Sequence, residues 1–120
     1  MENGFCFECY DTVYNNCFIH RSRYANGSLQ LSLFGTYYLT GDTTHFADIT
    51  LNQNRLKLAK NEIIVDCKFK PTFVPQLIEL GILKDQVGTY IANGMFYPIY
   101  TVDFEKINEK GYVVRNLVAA

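Results

Sequence analysis

The fold depends most on a stretch that reads VGTYIANGMFYPIYTV, from Val87 to Val102. Its central Asn93-Gly94 dipeptide suits a type I′ turn, because both central residues of that turn need a positive φ. The residues on either side are mainly apolar, aromatic or β-branched, as in the two strands of a hairpin. A two-residue loop sets the expected cross-strand pairs, which are Ile91 with Phe96, Tyr90 with Tyr97, Thr89 with Pro98 and Val87 with Tyr100.

Both faces of this hairpin are apolar. We expect one face to lie on the core, and it carries Val87, Ile91, Phe96, Tyr100 and Val102. The opposite face is too apolar for a face in contact with solvent, and it carries Tyr90, Met95, Tyr97 and Ile99. Either the rest of the chain covers this second face, or the face binds another protein or a second copy of the chain. Because Pro98 has no N–H to donate, its strand is predicted to lie at a sheet edge.

A second Asn-Gly dipeptide, Asn26-Gly27, predicts another hairpin with a two-residue loop. Its second strand covers Ser28–Phe34, in which three leucines alternate with polar residues in the pattern of a half-buried strand. Paired residues of a hairpin share a face of the sheet. The loop therefore places Phe18, His20 and Ser22 on the leucine side, and Arg21 and Arg23 on the side in contact with water.

Between and beyond these hairpins the sequence predicts further strands and one main helix. A third hairpin covers residues 36–40 and 44–52, and Glu62–Cys67 is a strand. The helix lies near residues 72–81, with Thr72 as its N-cap and Gly81 at its C-terminal end. Residues 103–110 suit a short helix capped by Asp103, and residues 112–118 suit a final strand or a tail. An antiparallel sheet of about six or seven short strands, packed by one main helix, predicts an α+β fold.

Composition limits the size and the class of the protein. The 120 residues are enough for a single domain, 1–120. Nine Tyr and nine Phe make the chain far too aromatic for a disordered segment. The net charge of −1 does not provide the basic field of a typical phosphate-binding protein. Because it has no signal sequence at its start and no apolar run of ~18 residues, the chain is predicted to be cytoplasmic.

The four cysteines are expected to be thiols in that compartment. Cys6 and Cys9 form a C-x-x-C motif, and further zinc ligands are offered by Cys17, Cys67 and His20. The surrounding residues alternate as in a strand, however, which sends positions three apart to opposite faces. We therefore predict no metal and no cofactor, and keep a zinc-stabilised structural module as an alternative. The sequence has no motif of an activated nucleophile or a phosphate loop, so the protein is not expected to be an enzyme.

Basic residues near aromatic ones leave a second alternative open. They are Arg21, Arg23, Lys57, Lys60, Lys68 and Lys70. Aromatic side chains beside a basic strip bind single-stranded nucleic acid in many proteins. The twelve acidic residues offset the eleven basic ones, so nucleic-acid binding is not favoured but stays an alternative.

A set of turn residues and helix-end residues resembles a known family. The set consists of Tyr24-x-Asn26-Gly27-x-Leu29, Thr50-x-Asn52, Leu77 to Ile82, and Gly94 followed by Pro98 and Tyr100. Together they are similar to a small domain-of-unknown-function family found on conjugative transposons, plasmids and prophages of gut bacteria. The family-like core covers about residues 24–102. The resemblance implies a mobile genetic element, whose small accessory proteins often regulate transfer or block host defence, and it assigns no catalytic residue.

These observations together predict a non-enzymatic protein-binding module. The expected partner-binding residues are Tyr90, Met95, Tyr97 and Ile99 of the last hairpin, with Tyr37 and Tyr38 of the third hairpin. The expected partner is a protein, which includes self-association as a homodimer, and no membrane is involved. The resemblance adds the expectation of an accessory protein of a mobile element that inhibits or modulates a host defence complex such as a CRISPR nuclease.

Overall fold

The computed structural model describes residues 4–9, 12–36, 41–68 and 70–111. Within these residues lie seven strands and two short helices. The strands are β1 (Phe5–Cys9), β2 (Thr12–Arg23), β3 (Leu29–Thr36), β4 (Thr43–Asp48), β5 (Glu62–Ile64), β6 (Leu83–Ala92) and β7 (Met95–Val102). The helices are α1 (Phe73–Glu79) and α2 (Phe104–Glu109). Neither of these described helices has the length and apolar character needed to cross a membrane.

The strands form two antiparallel sheets instead of the single sheet expected from the sequence. The first sheet has the order β1-β2-β3-β4, and the second has the order β5-β7-β6. The expected α+β class is confirmed, because antiparallel strands dominate and the helices pack beside them. The expectation of one main helix is wrong in detail, since α2 is a second helix of similar length.

The two sheets meet where the chain leaves β4. Ile49 N donates to Leu31 O at 2.9 Å in the first sheet, and Ile49 O accepts from Asp66 N at 2.8 Å. Two residues later, Leu51 N donates to Ile64 O at 2.9 Å in the second sheet. Because this segment bonds to both sheets, the strand-like residues that follow β4 do not extend it within one continuous sheet.

The main core includes side chains from both sheets and both helices. Its buried side chains include Phe7, Leu31, Leu33, Ile63, Phe73, Leu77, Tyr100 and Ile107. The rings of Phe7 and Phe73 meet edge to face with their centroids 5.2 Å apart, which is a favourable aromatic geometry. Burial of these groups is the main source of the free energy that holds the two sheets together.

Helix α1 follows the sequence pattern at its C-terminal end. Gly81 has a φ of 80°, a left-handed value that glycine adopts without steric cost. Gly81 N donates to Ile78 O, and Ile82 N donates to Leu77 O, as in a Schellman motif. At the other end, Thr72 occupies the N-cap position but makes no side-chain cap bond, contrary to expectation.

The side chain of Gln76 joins α1 to the outer edge of β1. Its Oε1 accepts from Glu8 N at 2.7 Å, and its Nε2 donates to Glu8 O at 2.9 Å. Nε2 also lies 3.3 Å from the Thr72 hydroxyl, which accepts a hydrogen bond there instead of capping the helix. The Gln76 amide therefore bonds to the main chain of β1 as a neighbouring strand would.

Helix α2 begins where the sequence predicts. The Asp103 carboxylate accepts from Glu105 N at 2.9 Å and from Lys106 N at 3.2 Å, so it is the expected N-cap. After the helix, Lys110 O accepts from Ile19 N at 2.9 Å, which ties the end of α2 to β2. The final strand or tail predicted over residues 112–118 lies outside the described residues.

The hairpin at Asn26-Gly27 has a three-residue loop instead of the expected two-residue loop. Tyr24 N donates to Ser28 O at 2.8 Å, and Gly27 N donates to Tyr24 O at 2.9 Å. Gly27 has a φ of 89°, whereas Asn26 is not among the described residues with a positive φ. These features match a type I turn followed by a left-handed glycine, a common form of hairpin loop.

The longer loop shifts the pairing of β2 with β3 by one residue and exchanges the two faces of β2. The structure pairs Ile19 with Leu33 and His20 with Ser32. Ile19, only 2% exposed, therefore takes the core position that the sequence assigned to its neighbour. The expected faces are wrong for Phe18, His20, Arg21, Ser22 and Arg23.

The side chain of Asn26 explains why the loop is longer. Its Nδ2 donates to Asn52 Oδ1 at 3.0 Å, to Gln53 O at 3.1 Å and to Asn54 Oδ1 at 2.7 Å. Its Oδ1 accepts from Ser28 N at 3.1 Å. These bonds tie the loop to the segment after β4, and they favour the loop conformation that brings Asn26 to that segment.

Candidate interaction surface

The hairpin of β6 and β7 has the turn that the sequence predicts. Asn93 and Gly94 have φ values of 50° and 76°, as the two central residues of a type I′ turn require. The expected pairs of Ile91 with Phe96, Tyr90 with Tyr97 and Thr89 with Pro98 are all present. The fourth expected pair is wrong, because a β-bulge in β6 places Gln86 instead of Val87 opposite Tyr100.

Pro98 lies in the middle strand of the second sheet, although the sequence predicts an edge strand there. Its carbonyl accepts from Val65 N at 3.0 Å, on the side of the strand where β5 lies. The N and O of a strand residue point to the same side, so the missing N–H faces the region where β5 has already ended at Ile64. Proline is tolerated at this position because β7 needs no ladder bond from it.

The face with the expected partner-binding residues is covered within the chain. Tyr97 and Ile99 are each 7% exposed, and they form a second apolar cluster with the fully buried Ile64. Leu51 and Leu58 pack against this cluster from the segment that connects β4 to β5. Tyr97 and Ile99 are therefore not accessible to a partner in this structure.

The remaining expected partner-binding residues fall into two groups. Tyr90 and Met95 are half-buried at the margin of the same cluster. The rings of Tyr90 and Tyr97 face each other across the two strands, with centroids 6.5 Å apart. Tyr37 and Tyr38 lie outside the described residues, so their part in binding stays a prediction.

The opposite face of the hairpin is exposed near the turn. Phe96 is 66% exposed and Ile91 is 59% exposed, and Val87 at the bulge is 51% exposed. The expectation that these three side chains lie in the core is wrong, whereas Tyr100 and Val102 are buried as expected. Ile91 and Phe96 lie directly opposite each other, so their side chains form one apolar surface, which we name the hairpin patch.

Alternation of residues along the hairpin identifies two apolar faces but does not tell which of them is covered. The cover comes from Leu51 and Leu58, which are distant in sequence from the hairpin. The sequence pattern places Leu51 near the end of the strand predicted over residues 44–52 and Leu58 in the connection that follows. The sequence signal for this covering segment is the spacing of the two leucines among polar residues. That spacing gives the segment an apolar side of its own.

A cleft of about 590 Å³ lies beside β2 and α2. Its walls include Phe18, Ile19, Phe34 and Ile107, with His20, Arg21 and Asn108 as polar members. The Arg21 guanidinium lies 4.4 Å from the centroid of the Phe104 ring and donates to Asn108 Oδ1 at 3.1 Å. The cleft surface is therefore mainly apolar, and the guanidinium in its wall is held by α2.

Three side chains of a catalytic type meet on the first sheet, but in an order unsuited to nucleophilic catalysis. Asp48 Oδ1 accepts from Ser32 Oγ at 3.0 Å and lies 2.9 Å from His45 Nε2. In a catalytic triad the imidazole lies between the hydroxyl and the carboxylate, whereas here the carboxylate lies between the other two. Burial acts to raise the pKa of Asp48, but hydrogen bonds from His45 and Ser32 outweigh it and lower the pKa below its ordinary value. The cluster thus stabilises an ionised carboxylate.

His20, which the sequence places in a partly buried position, is exposed. Its ring lies 5.5 Å from the Phe34 ring, measured between centroids, and Phe34 lies 5.2 Å from the ring of His45 on its other side. Phe34 thus separates the two histidines. The three rings pack side by side on the outer face of the first sheet, which supports a packing role for the two histidines.

The four cysteines occupy different environments. Cys6 is exposed, Cys67 is half-buried, and Cys9 and Cys17 are buried. Cys6 Sγ donates to Asn15 Oδ1 at 3.0 Å. Burial raises the pKa of the Cys17 thiol to about 12, so the thiol stays protonated at neutral pH. Within the part of the chain that the structure describes, no three His, Cys, Asp or Glu side chains are grouped to hold a metal ion.

The basic residues considered for nucleic-acid binding are partly engaged within the chain. Arg23 Nη1 donates to Gly27 O at 3.1 Å. Lys70 Nζ donates to Asp48 O at 3.1 Å and lies 3.4 Å from Asp66 Oδ2. With Arg21 held by α2, at least three of the six basic residues bond to groups of the protein itself, which weakens the idea of a continuous basic strip.

Comparison of the chain with family models, with curated proteins and with solved structures gives no match to any of them. The resemblance to the mobile-element family therefore stays a prediction, and it depends on turn residues and helix-end residues.

Proposed function

We propose that this chain is a non-enzymatic protein-binding module whose binding surface is the hairpin patch of Ile91 and Phe96. The observation that carries the proposal is the 66% exposure of Phe96 beside the 59% exposure of Ile91. Contiguous exposed apolar side chains commonly mark interaction sites, and aromatic residues are enriched in the cores of protein interfaces. The proposal keeps binding on the last hairpin but moves it to the face opposite Tyr97.

The backbone of the hairpin supports this role because it is already ordered. The type I′ turn and the paired strands hold Phe96 in place, so little conformational entropy is lost on association. On the other face of the same strand, Tyr97 packs within the cluster that Leu51 and Leu58 cover. A partner would therefore meet an apolar surface that the rest of the domain supports from behind.

The partner in this proposal is a protein and not a nucleic acid. A net charge of −1 gives little attraction for phosphates. Arg21 and Arg23 each donate a hydrogen bond, to Asn108 Oδ1 and to Gly27 O, so one donor of each guanidinium is already engaged within the chain. The resemblance to the mobile-element family supports a more particular role, as an accessory protein that inhibits or modulates a host defence complex such as a CRISPR nuclease.

Affinity capture from a lysate of a bacterial host tests the proposal with two matched variants. Phe96→Ser removes the most exposed side chain of the hairpin patch, whereas Val13→Ser removes an apolar side chain that is 65% exposed on β2 of the other sheet. We expect the wild-type chain and the Val13→Ser variant to capture the same protein, and the Phe96→Ser variant to lose it. Capture that survives in both variants, or is lost in both, would contradict the proposal.

Two further measurements identify the partner. Equilibrium sedimentation of the wild-type chain and the Phe96→Ser variant decides whether a second copy of the chain occupies the patch. For the defence role, addition of the wild-type chain to a purified CRISPR nuclease should lower the rate of DNA cleavage, and addition of the Phe96→Ser variant should not. Unchanged cleavage would contradict the role in defence, while the capture experiment still decides on protein binding.

A further inference from the structure

The chain has three Asn-Gly dipeptides, and two of them, Asn26-Gly27 and Asn93-Gly94, follow the same residue, because both lie in an Ala-Asn-Gly sequence, at 25–27 and at 92–94. Asparagine before glycine is especially prone to spontaneous deamidation, because glycine has no Cβ to hinder attack by its own main-chain nitrogen. The immediate neighbours therefore give the two asparagines similar reactivity. A large difference between them in the folded protein has to come from their surroundings.

In the first hairpin both reacting groups are engaged in hydrogen bonds. The nucleophile would be Gly27 N, which donates to Tyr24 O at 2.9 Å. The electrophile would be the Asn26 amide, which makes three hydrogen bonds through Nδ2 and one through Oδ1. Attack on Asn26 therefore requires the loop to release both groups from their partners.

In the second hairpin neither group is bonded to the described part of the chain. The Asn93 side chain and Gly94 N make no hydrogen bond with any of those residues, and both residues are exposed. A Cβ placed on Gly94 would have no atom within 4 Å, so the turn is open to solvent on that side. The Asn93 amide can therefore rotate toward Gly94 N without breaking a hydrogen bond to these residues.

We infer that Asn93 is a site of spontaneous deamidation in the folded protein and that the fold protects Asn26. Gly94 N loses its proton to a base in the solvent and attacks Cγ of Asn93. The bond from Cγ to the side-chain nitrogen breaks, and that nitrogen leaves as ammonia. Water then adds to one of the two carbonyl carbons of the resulting succinimide ring, which opens to aspartate or isoaspartate.

The products change the hairpin beside the hairpin patch. Either product adds one negative charge to a chain whose net charge is −1. Isoaspartate also inserts a methylene group into the main chain of the two-residue loop, which disturbs the pairing of Ala92 with Met95. This chemistry acts whether or not the patch binds a partner, so it is independent of the proposed function.

Peptide mapping of the intact protein after ageing tests the inference. Cleavage after Lys and Arg places Asn26 in the peptide 24–55 and Asn93 in the peptide 85–106. After incubation in mildly alkaline buffer, we expect acidic product to form at Asn93 about tenfold or more faster than at Asn26, because hydrogen bonds hold both reacting groups of the Asn26-Gly27 dipeptide. Equal rates at the two sites, or a faster rate at Asn26, would overturn the inference.

The same incubation in denaturant is the matched control. The unfolded chain presents both asparagines in an Ala-Asn-Gly sequence, so we expect the two rates to become similar. In the folded protein, Asn54→Ala removes the shortest hydrogen bond to Asn26, 2.7 Å long, and should raise the rate at Asn26 but not at Asn93. A tenfold preference for Asn93 that persists in denaturant would assign the difference to sequence and overturn the protection by the fold.

Discussion

The two Ala-Asn-Gly hairpins show that the same three residues form different turns in one chain. At 92–94 the Asn and the Gly both have positive φ and form a two-residue loop, whereas at 25–27 all three residues belong to the loop. The contacts of the two asparagines differ as well, because the Asn26 side chain bonds to residues 52–54 and the Asn93 side chain bonds to none of the described residues. A tertiary contact of one amide thus accompanies a change in loop length, strand register and the buried face of β2.

The two hairpins also differ in which side chains they bury, and the largest change in the free energy of unfolding should come from that difference. Leu31 of the first hairpin is fully buried, so Leu31→Ala should lower the free energy of unfolding by about 3 kcal/mol through lost burial and a cavity. Phe96→Ala in the second hairpin should change it by no more than about 0.5 kcal/mol, because the ring is mostly exposed. Denaturant unfolding measures both values. Similar losses in the two variants would break the comparison.

The second-largest change in stability should distinguish the two asparagines. In Asn26→Asp a carboxylate without a donor would face Asn52 Oδ1, Gln53 O and Asn54 Oδ1, so we expect a loss of about 2 kcal/mol. Asn93→Asp should cost no more than about 0.5 kcal/mol, because aspartate tolerates the left-handed conformation and the site is exposed. Thermal unfolding of the two single variants at neutral pH checks this. An equal cost would mean that the contact with residues 52–54 does not stabilise the first loop.

The glycines of the two turns should behave alike. Gly27 and Gly94 have φ values of 89° and 76°, and a Cβ added at either would meet no atom within 4 Å. Only backbone strain then opposes an alanine, so Gly27→Ala and Gly94→Ala should each cost about 1 kcal/mol. Unfolding midpoints of the two variants provide the test. Clearly unequal stability costs would mean that the glycines, and not only the asparagines, contribute to the difference between the two hairpins.

The smallest effect should appear at acidic pH in the first sheet, to which the first hairpin belongs. Because hydrogen bonds lower the pKa of Asp48, its ionised form stabilises the fold above the ordinary aspartate pKa, and this contribution is lost as pH falls through the lower folded pKa. The window therefore lies below about pH 4. Asp48 and His45 are each 47% exposed, so the change is small. Between neutral and acidic pH, the free energy of unfolding should fall less in the Asp48→Asn variant than in the wild-type chain. The same fall in both proteins would contradict this prediction.

Prediction from sequence succeeded where the geometry depends on near neighbours. The type I′ turn at Asn93-Gly94, the end of α1 at Gly81 and the cap of α2 at Asp103 each involve residues a few positions apart. All three are confirmed. Turn and cap chemistry is local, so a pattern of a few residues contains most of the information that it needs.

Prediction failed where a contact between distant residues decides the outcome. The loop at Asn26 depends on residues 52–54, and the covered face of β7 depends on Leu51 and Leu58. For the candidate surface, the sequence identified a hairpin with two apolar faces, but it assigned Phe96 to the core and left open whether the face of Tyr97 is covered within the chain or binds a partner. Which face is buried depends on which distant segment of the chain packs against it, and hydrophobic periodicity contains no information on that contact.

The Gln76 amide has a consequence for contacts between copies of the chain. It satisfies Glu8 N and Glu8 O, the main-chain groups that β1 would otherwise present at the outer edge of the first sheet. Unpaired strand edges are templates on which other chains can add strands. Movement of α1 away from β1 would free these two groups, so the docked seven-residue helix occupies the position where another strand could pair at Glu8. A single side chain therefore links the docking of one short helix to the protection of this part of the strand edge.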